Sequence, residues 1–219
     1  MADEKQDQQP TPAAAEPAAE KPAAKPAAEA KPAAAAEAKE APKPAPAKPA
    51  VPAPTPWQSD IVDAIRAAFP EASIEALTYL NQNFLKVPHE SLLPVANYLK
   101  SELRFDMLTD LTAVDYPKNE RRFEVIYQLY SFPRNERLRV KASLGESETI
   151  ESVVSVWSTA DWLEREAFDM FGIRFANHPN LKRILMPDEW EGHPLRKDYG
   201  IYQQDVKWIR ENLHIESGQ

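Results

Sequence analysis

Cysteine is missing from all 219 residues, and glycine occurs only five times. The first absence excludes disulfides, thiolate nucleophiles and cysteine-ligated zinc or iron–sulfur clusters on this chain. The second leaves no glycine-rich loop to cradle a phosphate. No nucleophile stands in recognisable company with a base. No run of apolar residues approaches the ~20 needed to cross a bilayer, so any link to a membrane runs through partners.

Between Met1 and Pro56 the chain also lacks Leu, Ile, Phe, Tyr and Trp. It is built almost wholly of Ala, Pro, Lys and Glu and carries 13 of the 21 prolines. Prolines block helix propagation, and with nothing large to bury the segment reads as a disordered or loosely extended arm over residues 1–56. A transit peptide is rich in arginine and poor in acid. Here the first arginine is Arg66, and eight acidic residues face seven lysines. A secretory signal would need an apolar core, which is absent.

Trp57 to Gln219, 163 residues, suits one domain with its own core and a tail. Its 26 acidic and 19 basic residues give a net charge of −7, which argues against nucleic-acid binding. Ile61, Ile65 and Phe69 recur at helical spacing within Trp57 to Phe69, and Pro70 stops the run. Ser73 to Leu80 and Asn83 to Val87 read as strands. His89 to Leu103 returns to helical spacing, with Pro94 tolerable only in the first turn. Phe105 to Asp115 alternates imperfectly. Phe123 to Phe132 and Arg137 to Leu144 alternate well, and Asn119 and Asn135 suit turns between them, so the three predict an antiparallel meander. Val153, Val154 and Val156 suggest a further extended piece.

Ser158 or Thr159 is placed to cap the next helix. Leu163, Ala167, Met170 and Phe171 share one face of it, and Gly172 ends it. Pro179, Pro187 and Pro194 then forbid regular structure, and Asn177 to Tyr202 reads as an extended strap. Asp205 to Leu213 suits one or two helical turns. The order α-β-β-α-β-β-β-α predicts an α+β fold, a two-layer domain with helices on one face of a mixed sheet. Its core covers residues 57–176, and an extended C-terminal strap covers 177–219.

Trp162 to Gly200 concentrates the chemistry-bearing side chains. Helical spacing sets Asp161 and Asp169 one turn either side of Arg165, beside Glu164 and Glu166. This predicts i, i+4 ion pairs rather than an acid–base pair, which needs two carboxylates converging on a pocket. His178 and His193 with Asp188 or Glu189 form, on paper, a two-histidine, one-carboxylate metal set, the Asp188 version being that of a metal hydrolase. Fifteen residues of irregular chain and a proline after each histidine favour docking or local hydrogen bonding instead. Lys182, Arg183, Arg196 and Lys197, interleaved with Trp190, Tyr199 and Tyr202, have the composition of interface anchors.

These residues resemble a known family, the C-type subunits of the proton-pumping NADH–quinone oxidoreductase, respiratory complex I. The resemblance lies in Glu164-Arg165-Glu166, Asp169-Met170-Phe171, His178, Lys182 with Ile184 and Leu185, and the run Asp188 to Tyr199. It covers roughly Trp57 to Tyr202. It implies a non-catalytic subunit of the peripheral arm, on the cytoplasmic side of the bacterial inner membrane. The chain would hold no cofactor; FMN, iron–sulfur clusters and quinone belong to other subunits. Subunits D, B and I are the implied partners, and the end at Gln219 suggests a polypeptide separate from D. The expected partner interface is Glu164, Arg165, Glu166, Asp169, His178, Lys182, Arg183, Trp190, His193, Arg196, Lys197 and Tyr199, with no catalytic or metal residues. An alternative is the equivalent subunit of a nickel–iron hydrogenase or ferredoxin-linked complex, which neighbouring genes would distinguish.

Overall fold

A computed structural model describes residues 52–200 and 206–214. The arm expected over 1–56 falls largely outside these residues, as do the strap's Ile201 and Tyr202. Pro56 is not the end of an unstructured arm, however. Thr55–Pro56 forms a short edge strand, β1, antiparallel to β2 (Glu75–Tyr79).

The first helix, α1 (Asp60–Ala68), starts later than the apolar spacing suggests, because the Ser59 side chain accepts from the Val62 N–H and fixes its N-terminus. Trp57 remains extended, its N–H donating to the Ala76 carbonyl. A tight turn with positive φ at Leu80 and Asn81 joins β2 to β3 (Gln82–Lys86). A 3-10 turn at His89–Ser91 leads into α2 (Leu92–Ser101), so Pro94 lies in its first turn. The meander follows as β4 (Met107–Asp115), β5 (Phe123–Ser131) and β6 (Glu136–Leu144). A bulge between Leu108 and Asp110 accounts for the imperfect alternation of β4.

The six strands run in the order β1-β2-β3-β6-β5-β4, antiparallel except for the parallel β3–β6 pair. This is the mixed sheet of an α+β domain. On β5, Phe123, Val125, Tyr127 and Leu129 are buried while the residues between them are half-buried. One sheet face is therefore covered by helices. Ile61, Val62 and Ile65 of α1 and Leu92, Val95, Ala96 and Leu99 of α2 join its core. Each fully buried aliphatic side chain contributes about 1.5–3 kcal/mol. Leu99→Ala would cost about 2–5 kcal/mol.

Two further strands, β7 (Thr149–Glu151) and β8 (Arg174–Ala176), pair in parallel around the third helix, α3 (Ala160–Phe171). They replace the extended piece expected at Val153 to Val156. Those residues form turns instead, with Val153 and Val156 buried by packing. Nor does a side chain cap α3, since the Thr159 hydroxyl donates to the Leu108 carbonyl at 3.4 Å. Residues 177–200 contain no helix or strand, and α4 (Val206–Leu213) follows the strap.

Candidate functional site

The C-terminal end of any helix leaves carbonyls without intrahelical partners. In α3 the strap supplies the missing donors. Gly172, in the left-handed region at φ +77, turns the chain and donates its N–H to Phe168 O at 2.8 Å. His193 Nδ1–H then donates to Asp169 O at 2.8 Å, the Leu195 N–H to Met170 O at 3.1 Å, and Arg196 Nε–H to Phe171 O at 2.6 Å. The run His193-Pro194-Leu195-Arg196 thus works as a cap delivered from a distance, with a cation at the negative end of the helix dipole. Burial, with the charges of Arg196 and Arg183 beside it, lowers the His193 pKa despite the bond to Asp169 O.

Asp169 is fully buried. Its Oδ2 accepts the N–H groups of Ile184, Leu185 and Met186 at 3.0, 2.7 and 2.8 Å, and its Oδ1 accepts Arg183 Nη1–H at 2.6 Å. Burial alone would push the carboxyl up, but these four donors together hold it below the ordinary aspartate value. Arg183 also donates through Nη2 to Trp190 O and Gly192 O at 2.9 and 3.0 Å, closing the strap into a loop around its own guanidinium.

The expected ion pairs of Arg165 with Asp161 and Asp169 are absent. Arg165 donates to the carbonyls of Lys182 at 3.1 Å and Arg183 at 2.9 Å. The reason is energetic. An exposed i, i+4 pair is worth a few tenths of a kcal/mol, whereas the buried Asp169 gains four donors from the strap. Glu164 is also fully buried, facing inward rather than pairing with Arg165, and its Oε1 accepts the Val153 N–H at 2.8 Å. Glu166 is exposed.

The two histidines sit at different places along α3. His178 Nε2–H donates to Asp161 O at 3.1 Å, eight residues before the carbonyl held by His193; at 1.5 Å per residue that is about 12 Å along the helix. The paper set of His178, His193 and Asp188 is therefore not assembled. Among the described residues no group of three His, Asp or Glu side chains is arranged to hold a metal ion. Lys182 and Lys197 are exposed. Trp190 packs edge-on against Trp208 of α4, with ring centroids 5.7 Å apart. Tyr199 is half-buried, its N–H donating to Arg196 O at 3.1 Å.

A second clamp lay outside the sequence expectations. Arg122 donates twice to the buried Asp115, at 2.8 and 3.0 Å, and to Asp198 of the strap at 2.7 Å. The Lys197 N–H reaches Asp115 Oδ2 at 2.8 Å, while Arg196 Nη1 meets Glu146 at 2.8 Å. Arg122 and Arg196 each lie 5.2 Å from the centre of the Phe123 ring. The Arg122 bond, with the charge beside it, lowers the Asp115 pKa, and Asp115 followed by Asp198 raises that of Arg122. One signal was available. Asp115 follows Leu111 and Ala113 at inward-facing parity on β4, where a lone charge needs a partner.

Residues 85–205 match the family described as respiratory-chain NADH dehydrogenase, 30 Kd subunit. The C-type subunit of NADH-quinone oxidoreductase from Geotalea uraniireducens is 47% identical over 142 residues, 64% of this chain and 87% of that protein. Its counterpart from Citrifermentans bemidjiense is 48% identical over 142 residues, 64% of this chain and 88% of that protein. Among solved structures, a chain of the membrane-bound sulfane sulfur reductase, an archaeal respiratory membrane complex, superposes with a TM-score of 0.58. It is 23% identical, with 71% of this chain and 91% of that chain covered, and so shares the fold. The charged run on α3 and the strap it holds lie inside the matched segment, and this chain belongs to the respiratory-chain NADH dehydrogenase 30 Kd subunit family.

Proposed function

We propose that this chain is a non-catalytic scaffold subunit in the peripheral arm of a proton-translocating NADH–quinone oxidoreductase, on the cytoplasmic side of the membrane. In this reading it carries no cofactor, and FMN, iron–sulfur clusters and quinone reside on subunits it helps to hold, among them D, B and I. The observation that supports this most is the use made of the charged run. Asp169, Arg165, Arg183, His193 and Arg196 all spend their hydrogen bonds shaping one strap around the end of one helix. Groups so committed build a rigid surface rather than a reaction centre.

What that surface presents outward is apolar and charged together. Trp162 is 69% exposed, Leu185 61% and Leu195 49%, with Glu166, Lys182 and Lys197 also exposed. Large exposed anchors with charges between them suit a protein partner. Among the described residues no helix is long and apolar enough to cross a membrane, in keeping with attachment through other subunits. Affinity isolation of the chain in mild detergent, with mass spectrometry of what accompanies it, tests the reading. Subunits D, B and I should co-purify, and Trp162→Ala with Leu185→Ala should release them. Recovery of the chain without them would overturn the proposal.

A further inference from the structure

Glu164 and Asp169 lie five residues apart on α3, and both are fully buried, yet their surroundings are opposite. Asp169 has three backbone donors and a guanidinium. Glu164 has the Val153 N–H at 2.8 Å and the Ser152 hydroxyl beside it, and no lysine or arginine pairs with it among the described residues. Its Oε2 has no hydrogen-bond partner, nor do the buried Asp161 Oδ1 and Tyr127 Oη. The titratable and polar groups facing it are Asp161 from α3, Tyr127 from β5, Ser152 and Val153 after β7, and His178 from the strap.

His178 closes this chamber with a completely buried ring, its Nε2 3.9 Å from Glu164 Oε2 and 3.4 Å from Asp161 Oδ1. Nδ1 accepts the Asn180 N–H at 3.0 Å, so the proton is on Nε2, already donated to Asp161 O at 3.1 Å. A neutral imidazole offers Glu164 no compensating charge. A carboxylate there would be buried against a second carboxylate with too few donors, a costly arrangement that a proton removes.

We propose that Glu164 is a proton-controlled catch: protonated, it keeps the His178 corner of the strap closed on α3, and on losing its proton it drives that corner open to water. The energetics agree in direction. Burial, set against the Ser152 and Val153 donors and reinforced by the Asp161 charge, pushes the Glu164 carboxyl up to about 7 from the ordinary 4.5. The closed corner therefore holds its proton more tightly than the open one. Opening becomes easier as pH rises from 4.5 to about 7 and levels off above that range.

Hydrogen exchange on the full-length chain between pH 5 and 8.5, corrected for intrinsic exchange, reads this directly. Protection in segments 152–157 and 176–182 should fall about tenfold per pH unit up to pH 7 and then level. Glu164→Gln, which keeps the shape of the protonated acid, should remove the slope. Carboxyl carbon NMR of the unmodified protein gives an independent reading, with a Glu164 midpoint near neutrality expected. A midpoint near the ordinary glutamate value, pH-independent protection in the unmodified protein, or an unchanged slope in Glu164→Gln would each overturn the proposal.

Discussion

Arg183 meets Asp169 at 2.6 Å across 14 residues of chain, and the same guanidinium holds the carbonyls of Trp190 and Gly192. One cation therefore ties the strap both to α3 and to itself. The pair decides where the exposed Leu185 stands, because the N–H groups of Ile184, Leu185 and Met186 converge on the other oxygen of Asp169.

Asp169→Asn should lower stability by about 3 kcal/mol, the cost of leaving a partly buried guanidinium uncompensated. Urea unfolding of the full-length chain measures it. A loss below about 1 kcal/mol would mean that water replaces the carboxylate without penalty.

Gly172→Ala should be more damaging than its size suggests. The residue sits at φ +77, and an added Cβ would stand 2.6 Å from His193 Nε2 and 2.7 Å from Arg196 Nη2. The left-handed backbone alone costs about 1–2 kcal/mol, and both capping side chains must move. Exchange protection at the Leu195 N–H should fall along with the melting temperature.

Arg122 makes two kinds of ion pair in one structure, and they should differ in worth. Asp115 has no exposed side-chain surface, whereas the Asp198 side chain is 59% exposed. Double-mutant cycles with Arg122→Met should give a coupling of about 2 kcal/mol to Asp115 and below about 1 kcal/mol to Asp198. Equal couplings would contradict the placement of the clamp.

Glu164 and Asp169 should shape the pH dependence of stability in opposite senses. The folded pKa of Glu164 is raised to about 7, so its favourable contribution is complete below 4.5 and is lost as pH rises to about 7. The advantage of Glu164→Gln over the unmodified chain should therefore grow across that window, to at most about 3 kcal/mol, and stay constant above it. Asp169 and Asp115 have lowered pKa values, so their contribution is complete above 3.8 and is lost as pH falls further. Thermal unfolding across pH 3 to 8.5 separates the two.

Much of this was legible from residue order, for identifiable reasons. The apolar spacing of α3 and the stop at Gly172 are local properties, and so is the alternation of β5 and β6. The prolines after Asn177 rule out regular structure wherever the strap lies. What escaped was non-local. β7 and β8 are three residues each, too short for a period, and they pair across the length of α3. Val153 and Val156 look like strand residues because β-branched side chains suit strands, yet here tertiary packing buries them in a turn. Helical spacing offered Arg165 two carboxylates, but it carries no information on the strap donors that claim Asp169. Whether the strap's outward residues meet a partner is a property of the assembly, which no pattern within one chain encodes.

In the proposed role, α3 and the strap hold other subunits and perform no chemistry. Isolating the respiratory complex from cells carrying Asp169→Asn with Arg183→Met, and measuring NADH-to-quinone electron transfer per assembled complex, tests it most directly. In that role, less complex assembles, with this chain and its neighbours below normal stoichiometry, while each complete complex turns over at the unmodified rate. Full assembly at normal stoichiometry with quinone reduction abolished would contradict it.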